Sequence, residues 1–177
     1  MADSDLAALP DGALDDVAPR VGTQLEGEHN GTGVRFGLAC ARFNGGITVR
    51  LLTGALDALA EAGADRRDLT VAWAPGAFEL PLVARAFAQA GKVDAVLCLG
   101  AVIRGDTGHY DFVAGECASG IQQVQLATGV PVVFGVLTTN TLDQAIARSE
   151  PDHTNKGREA ALTAVEMVRL LRSAPLS

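Results

Sequence analysis

The 177-residue chain is 48% hydrophobic and 20% charged, which sets aside wholesale disorder and fibrous repeats and leaves enough apolar material for one core. A net charge of −7 and a pI of 4.8 offer no broad positive field, so neither duplex nucleic acid nor an anionic membrane is an expected partner. The charge is uneven: residues 1–33 set Asp3, Asp5, Asp11, Asp15, Asp16, Glu26 and Glu28 against Arg20 alone, while the rest is nearly neutral.

Residues 1–21, punctuated by Pro10 and Pro19 and without sustained periodicity, read as a flexible acidic extension ahead of a single domain over 22–177. The extension lacks a basic stretch followed by an apolar run, and no run of about 18 apolar residues occurs anywhere, so a cytoplasmic protein is expected. The apolar run Val34–Ala41 reads as a buried strand, ended by the turn Arg42-Phe43-Asn44-Gly45-Gly46, with Asn44 placed to cap a helix. Along that helix Val49, Leu52, Leu56, Leu59 and Ala60 fall on one stripe, and Gly63 marks its end.

The same unit recurs three times. Residues 69–74 lead through Pro75-Gly76-Ala77-Phe78-Glu79 into a helix to about Gln89. Residues 93–103 lead through Arg104-Gly105-Asp106-Thr107-Gly108-His109 into a helix ending near Gly129. Residues 131–138 lead through Thr139-Asn140 to a short helix opened by a Thr141–Gln144 capping box, and a last helix spans about Lys156–Leu171. Strands apolar throughout, alternating with helices, predict a three-layer α/β/α sandwich on a parallel four-stranded sheet.

In such a sheet ligands gather beyond the C-terminal strand ends. The loops there carry Phe43, Phe78, Glu79, Arg104, Thr107 and His109, more than chain reversal requires. Two glycines in the loop before His109 let backbone N–H groups form an anion nest, although Thr107 as a plain helix cap, with Asp106 favouring the dipole, explains the same pattern. His109 at a helix start, where positive charge is disfavoured, is the best acid/base candidate. Phe43 and Phe78 suit a flat ring held between them, or two helix-packing anchors. Glu79 in a first helical turn signals little alone, and Arg148, Lys156 and Arg158 form a basic cluster that is a solvated face unless a phosphate must be held. His29 and His153 have no metal-ligand spacing, and Cys40, Cys98 and Cys117 read as core thiols rather than a disulfide or metal set. The GxxxxGK[ST], GxGxxG and G-x-S-x-G motifs are missing.

Five segments, RFN at 42–44, PGAFELP at 75–81, GAVIRGDTGHYD at 100–111, FGVLTTNT at 134–141 and NKG at 155–157, together resemble the lumazine synthase family of riboflavin biosynthesis, over about residues 22–172. The resemblance implies a flavodoxin-like fold and a transferase that condenses 5-amino-6-(D-ribitylamino)uracil with 3,4-dihydroxy-2-butanone 4-phosphate, without metal or redox cofactor. It implies that Phe43 stacks on the pyrimidine, that Ala77, Phe78 and Glu79 hold the ribityl chain and ring edge, and that Ala101, Val102 and Ile103 present backbone to the uracil. Gly105, Asp106 and Thr107 would form the phosphate nest and His109 would move protons, while Phe134, Arg148 and Lys156 would come from the neighbouring subunit of a pentamer.

Two features depart from the family pattern. Asp152-His153 stand where many members carry a lysine, and the acidic tail exceeds the usual lead-in, in which residues 22–27 would be a strand added to a neighbour's sheet. The length of the connection from Arg148 to Lys156 favours a shell of sixty subunits, and riboflavin synthase is a candidate partner. The rival reading is a catalytically weak member that binds a flavin-like ligand or acts as a container.

Overall fold

The computed structural model describes residue 12 and residues 14–173. Of the expected acidic extension, residues 1–11 and 13 lie outside the described residues, and Ala18–Arg20 forms one 3-10 turn. Four parallel strands, β1 (Phe36–Ala41), β2 (Leu69–Ala74), β3 (Ala95–Ile103) and β4 (Val132–Thr139), lie in the order β2-β1-β3-β4. Helices α1 (Gly45–Glu61) and α5 (Lys156–Arg172) cover one face, and α2 (Leu80–Gln89) and α3 (His109–Thr128) cover the other. The short α4 (Leu142–Ala147) follows β4. This is the expected three-layer sandwich with flavodoxin-like winding, whose topological switch point lies between β1 and β3.

Strand alternation sorts side chains by size. Phe36, Leu38 and Cys40 of β1, with Leu97 and Leu99 of β3, pack under α1 and α5. Ala39 and Ala41, with Val96 and Cys98, face α2 and α3. A Cβ on Gly37 would lie 2.8 Å from the Phe87 ring, so the small residues on this face admit a large one from α2. Edge strand β2 departs from the expectation of strands buried on both faces: Val71 and Trp73 are 38% and 44% exposed. Residues 23–28 form no strand with this sheet and run beside α5, where a Cβ on Gly27 would collide with the Glu166 carbonyl.

The stripe expected on the first helix is met in part, with Leu59 buried and Leu52 and Leu56 half-buried against the core, but the buried arc is shifted from it. Ile47, Thr48, Leu51, Ala55, Ala58 and Leu59 are buried, whereas Val49 is half exposed and Ala60 is exposed. Apolar residues occupy most of the circumference of α1, so periodicity alone cannot select the buried arc; contact with α5 does. At that contact Gly157 is obligatory, because a Cβ there would strike the Leu51 carbonyl, and Gly54 leaves room for Asn155. Asn155 accepts from Gly157 N (2.9 Å) and Arg158 N (3.2 Å) as the cap of α5, and donates to the Glu150 carbonyl (2.9 Å).

The N-terminal strand ends are pinned by charge. Asp94 receives Arg35 Nη2 (2.9 Å), Arg35 backbone N (2.8 Å) and Arg172 Nη2 (2.7 Å). Arg169 donates to the carbonyls of Asn30 (2.6 Å) and Thr32 (2.7 Å). No described helix is long and apolar enough to cross a membrane.

Candidate active site

The C-terminal strand ends are laced together by backbone hydrogen bonds that continue the sheet into its loops. Arg42 N donates to the Ala74 carbonyl (2.9 Å) and Phe43 N to the Pro75 carbonyl (3.0 Å), which joins the loops carrying Phe43 and Phe78. Arg104 N donates to the Thr139 carbonyl (2.9 Å) in the same way. On its β4 side β3 is paired as far as Ile103, but on its β1 side only as far as Leu99. Residues 101–103 therefore overhang β1 and leave a backbone edge without a neighbouring strand at the switch point.

Asn44 is not the helix cap that its position suggests. Its backbone is left-handed (φ 55°), whereas side-chain capping needs an extended residue, and no capping bond forms. Its Nδ2 instead donates to the Ala101 carbonyl (2.9 Å) and ties the loop after β1 to the bare edge of β3.

Around this edge opens a cavity of about 470 Å³, a size suited to a small ligand. It brings together Phe43, Ala77, Phe78, Glu79, Ala101, Val102, Ile103, Gly105, Thr107 and His109. Asp106 sits in the same loop, exposed and outside the lining. Phe43 is 71% and Phe78 56% exposed; burying a phenylalanine stabilises by roughly 1.5–3 kcal/mol, so a chain that forgoes this twice is not using them as packing anchors. His109 opens the twenty-residue α3, with Gly108 at the N-cap and no side-chain capping bond there. Among the described residues the Thr107 side chain has one link, and a long one, His109 N to Thr107 Oγ1 at 3.4 Å, so the plain-cap reading of this loop is weak. The unsatisfied N–H groups and the helix dipole favour an anion at this end.

A second hollow of about 420 Å³ lies along the β4 edge and contains Phe134, Arg148 and Lys156, with no residue in common with the first. Arg148 Nη1 donates to the Gln144 carbonyl (3.1 Å), and Lys156 pairs with Glu159. The basic cluster read from the sequence is thus split. Arg158 faces away to pair with Glu61 and lines a third groove, against α1, which also takes in Asp152 and His153. The departure at Asp152-His153 accordingly falls outside the hollow of Arg148. Asp152 accepts from Thr154 N and Oγ1 (2.7 and 2.6 Å), and these bonds hold its carboxyl below the usual range.

Sequence reasoning missed Tyr110, Val113, Pro75 and Gly76 in the lining, and Asn44 as its brace. Tyr110 is the sole tyrosine, next to His109, and Val113 lies one helical turn beyond it; that adjacency was the available signal. In the second hollow Glu159, three residues after Lys156, was likewise unmarked. Cys40, Cys98 and Cys117 are buried free thiols; burial pushes Cys40 and Cys117 up to about 12 and Cys98 up as well, so they are poor nucleophiles. Among the described residues no three His, Cys, Asp or Glu side chains cluster as a metal site would require.

A family model described as 6,7-dimethyl-8-ribityllumazine synthase matches residues 33–172, from just ahead of β1 to the end of α5, and so spans every residue lining either hollow. The chain belongs to the 6,7-dimethyl-8-ribityllumazine synthase family.

Proposed function

We propose that this protein is a transferase condensing 5-amino-6-(D-ribitylamino)uracil with 3,4-dihydroxy-2-butanone 4-phosphate to 6,7-dimethyl-8-ribityllumazine, phosphate and water. The observation that carries the reading is the first cavity itself, where an imidazole at a helix N-terminus, a glycine loop and two exposed phenylalanines surround a bare strand edge. The pyrimidine stacks on Phe43, its ribityl chain runs along Ala77, Phe78 and Glu79, and its polar edge meets the backbone of Ala101, Val102 and Ile103. Phosphate rests in the loop of Gly105, Asp106 and Thr107.

The amine attacks the ketone and a Schiff base forms with loss of one water, phosphate leaves, and the ring closes with loss of a second water. Each step moves a proton, which His109 donates or accepts. Juxtaposing the reactants supplies much of the acceleration, up to about 7–11 kcal/mol in ideal cases, and a positioned acid/base adds about 10²–10⁴ in rate.

One protomer holds Phe134, Arg148 and Lys156 in a hollow separate from the cavity, so the site is completed when a neighbour's second hollow meets this cavity in a pentameric ring. The half-open edge of β2 and the unpaired residues 23–28 suit strand addition between subunits, twelve rings form a shell, and riboflavin synthase is the partner that would consume the product. Residues 22–177 act as one domain, and the acidic residues 1–21 extend from it. Incubation with both substrates tests the reaction: lumazine fluorescence rising in step with phosphate release supports it, and binding without either signal replaces it with the container reading. Native mass tests the assembly.

A further inference from the structure

We propose that Arg104 is a positioning residue for this reaction, a staple that closes the phosphate loop and fixes His109 by gripping Asp111 across it. The inference rests on the function proposed above and adds a residue to it. Arg104 is the first residue after β3, anchored by its own N–H on Thr139 (2.9 Å). Its guanidinium donates Nη2 to Asp111 Oδ1 (2.8 Å) and Nη1 to Asp111 Oδ2 (3.4 Å), so the two residues are forked together. Residues 105–110 lie inside that staple. They include each loop group assigned to phosphate and the imidazole assigned to proton transfer.

Without the staple little holds this loop. It contains two glycines, residues 104–109 are all exposed, and the bonds within it are long: His109 N to Thr107 Oγ1 (3.4 Å) and Asp111 N to the Gly108 carbonyl (3.2 Å). Catalytic hydrogen-bond donors act strongly only when they are already aimed, so a loop free to wander would lose anion affinity and misplace His109 together.

The guanidinium meets two further partners at once. Nε donates to Asn140 Oδ1 (3.2 Å), and Cζ lies 4.0 Å from the centre of the Tyr110 ring, itself part of the cavity wall. A planar fork satisfies these directions together and an ammonium point charge does not. Asn140 N in turn donates to Gln144 Oε1 (2.9 Å), and the Gln144 carbonyl accepts from Arg148 (3.1 Å). The staple thus also braces the segment that carries Arg148. Exposed ion pairs contribute little to global stability, so the role assigned to Arg104 is geometric.

The test compares Arg104→Gln, Arg104→Lys and Asp111→Asn with wild type as intact oligomers. Arg104→Gln should raise KM for the phosphate-bearing substrate and lower kcat, each on the order of tenfold, while KM for the pyrimidine stays within about twofold and Tm within a few degrees. Arg104→Lys should not rescue. Asp111→Asn should act in the same direction, and the double variant Arg104→Gln/Asp111→Asn should be no worse than the poorer single one. Unchanged kinetics in Arg104→Gln, full activity in Arg104→Lys, or an equal fall for both substrates that tracks lost Tm would each overturn the proposal. If wild type releases no phosphate, the proposed reaction fails on its own. Titration of inorganic phosphate then decides the staple: weaker binding in Arg104→Gln supports it, and equal binding overturns it.

Discussion

The two ends of the sheet use polar groups in opposite ways. At the N-terminal end Asp94 is enclosed by Arg35 and Arg172, and Arg169 bonds two carbonyls of the lead-in, so charges there satisfy one another. At the C-terminal end Arg104 pairs with Asp111 and Asn44 bonds the Ala101 carbonyl, but the His109 imidazole has no hydrogen-bond partner among the described residues, Phe43 and Phe78 stand open, and the rest of the β3 overhang is bare. The covered end holds the layers in register; the bare end keeps its bonding capacity for a ligand. Chemistry should therefore fail when the bare end is altered, and stability when the covered end or the helix contacts are altered.

The largest expected effect is at His109. His109→Ala should slow turnover by about 10²–10⁴ and leave a measurable residue, because reactant juxtaposition survives. Single-turnover kinetics check this, and complete inactivity with both substrates bound would contradict it. Arg148→Ala comes next. Loss of a charge-assisted, paired hydrogen bond to phosphate is worth roughly 1.5–3 kcal/mol, or about 10- to 100-fold in KM for the phosphate-bearing substrate, and an unchanged KM would remove Arg148 from the site. Mixing the two impaired proteins, assayed well below the raised KM of Arg148→Ala so that both start slow, sharpens the comparison further. If the hollows meet between subunits, co-assembly restores activity at about one quarter of the junctions, as random pairing around a ring requires. No recovery in verified mixed oligomers would mean that the two hollows do not serve one site.

The strand and helix order was legible because each strand is a short apolar run closed by Gly, Pro or Asn, and because Thr141 and Gly129 sit at helix ends where they cap or reverse the chain. The cavity was legible for the same reason: phenylalanine, histidine and paired glycines at strand ends are costly where only a turn is needed. What escaped depends on contacts distant in sequence. The buried arc of α1 is chosen by α5, more than a hundred residues away. Asn44 resembles a cap until its left-handed backbone sends the amide across to Ala101. Arg158 resembles a companion of Arg148 until Glu61 claims it, and NKG resembles a chemical motif although Asn155 and Gly157 serve the α1–α5 contact and Lys156 alone of the three lines the hollow of Arg148.

That division within NKG predicts a third, smaller effect. Gly157→Ala forces a methyl group against the Leu51 carbonyl, and overpacking of this kind typically costs about 1–3 kcal/mol. Denaturant unfolding should show the loss. Lys156→Ala should spare stability and impair catalysis, and the reverse pattern would make Gly157 the functional member of the pair.

The smallest effect tests the covered end by pH. Burial pushes the Asp94 carboxyl up, but hydrogen bonds from the Arg35 side chain and backbone, with the charges of Arg172 and Arg35, outweigh it and hold the group at about 2 against its ordinary 3.8. The unfolded chain therefore takes up a proton at Asp94 sooner than the folded one as pH falls. The stabilisation is complete above about pH 4 and is lost on descending to about pH 2. In thermal melts the gap in Tm between wild type and Asp94→Asn should close over that interval, and a gap independent of pH would show that the carboxylate's charge is not what matters. Asp65 supplies the contrast. It too is lowered to about 2, by side-chain and backbone hydrogen bonds from Arg67, but its partner is two residues away on an exposed turn. So local a pair can persist in the unfolded chain, and Asp65→Asn should leave the acid limb nearly unchanged although its carboxyl is held equally low.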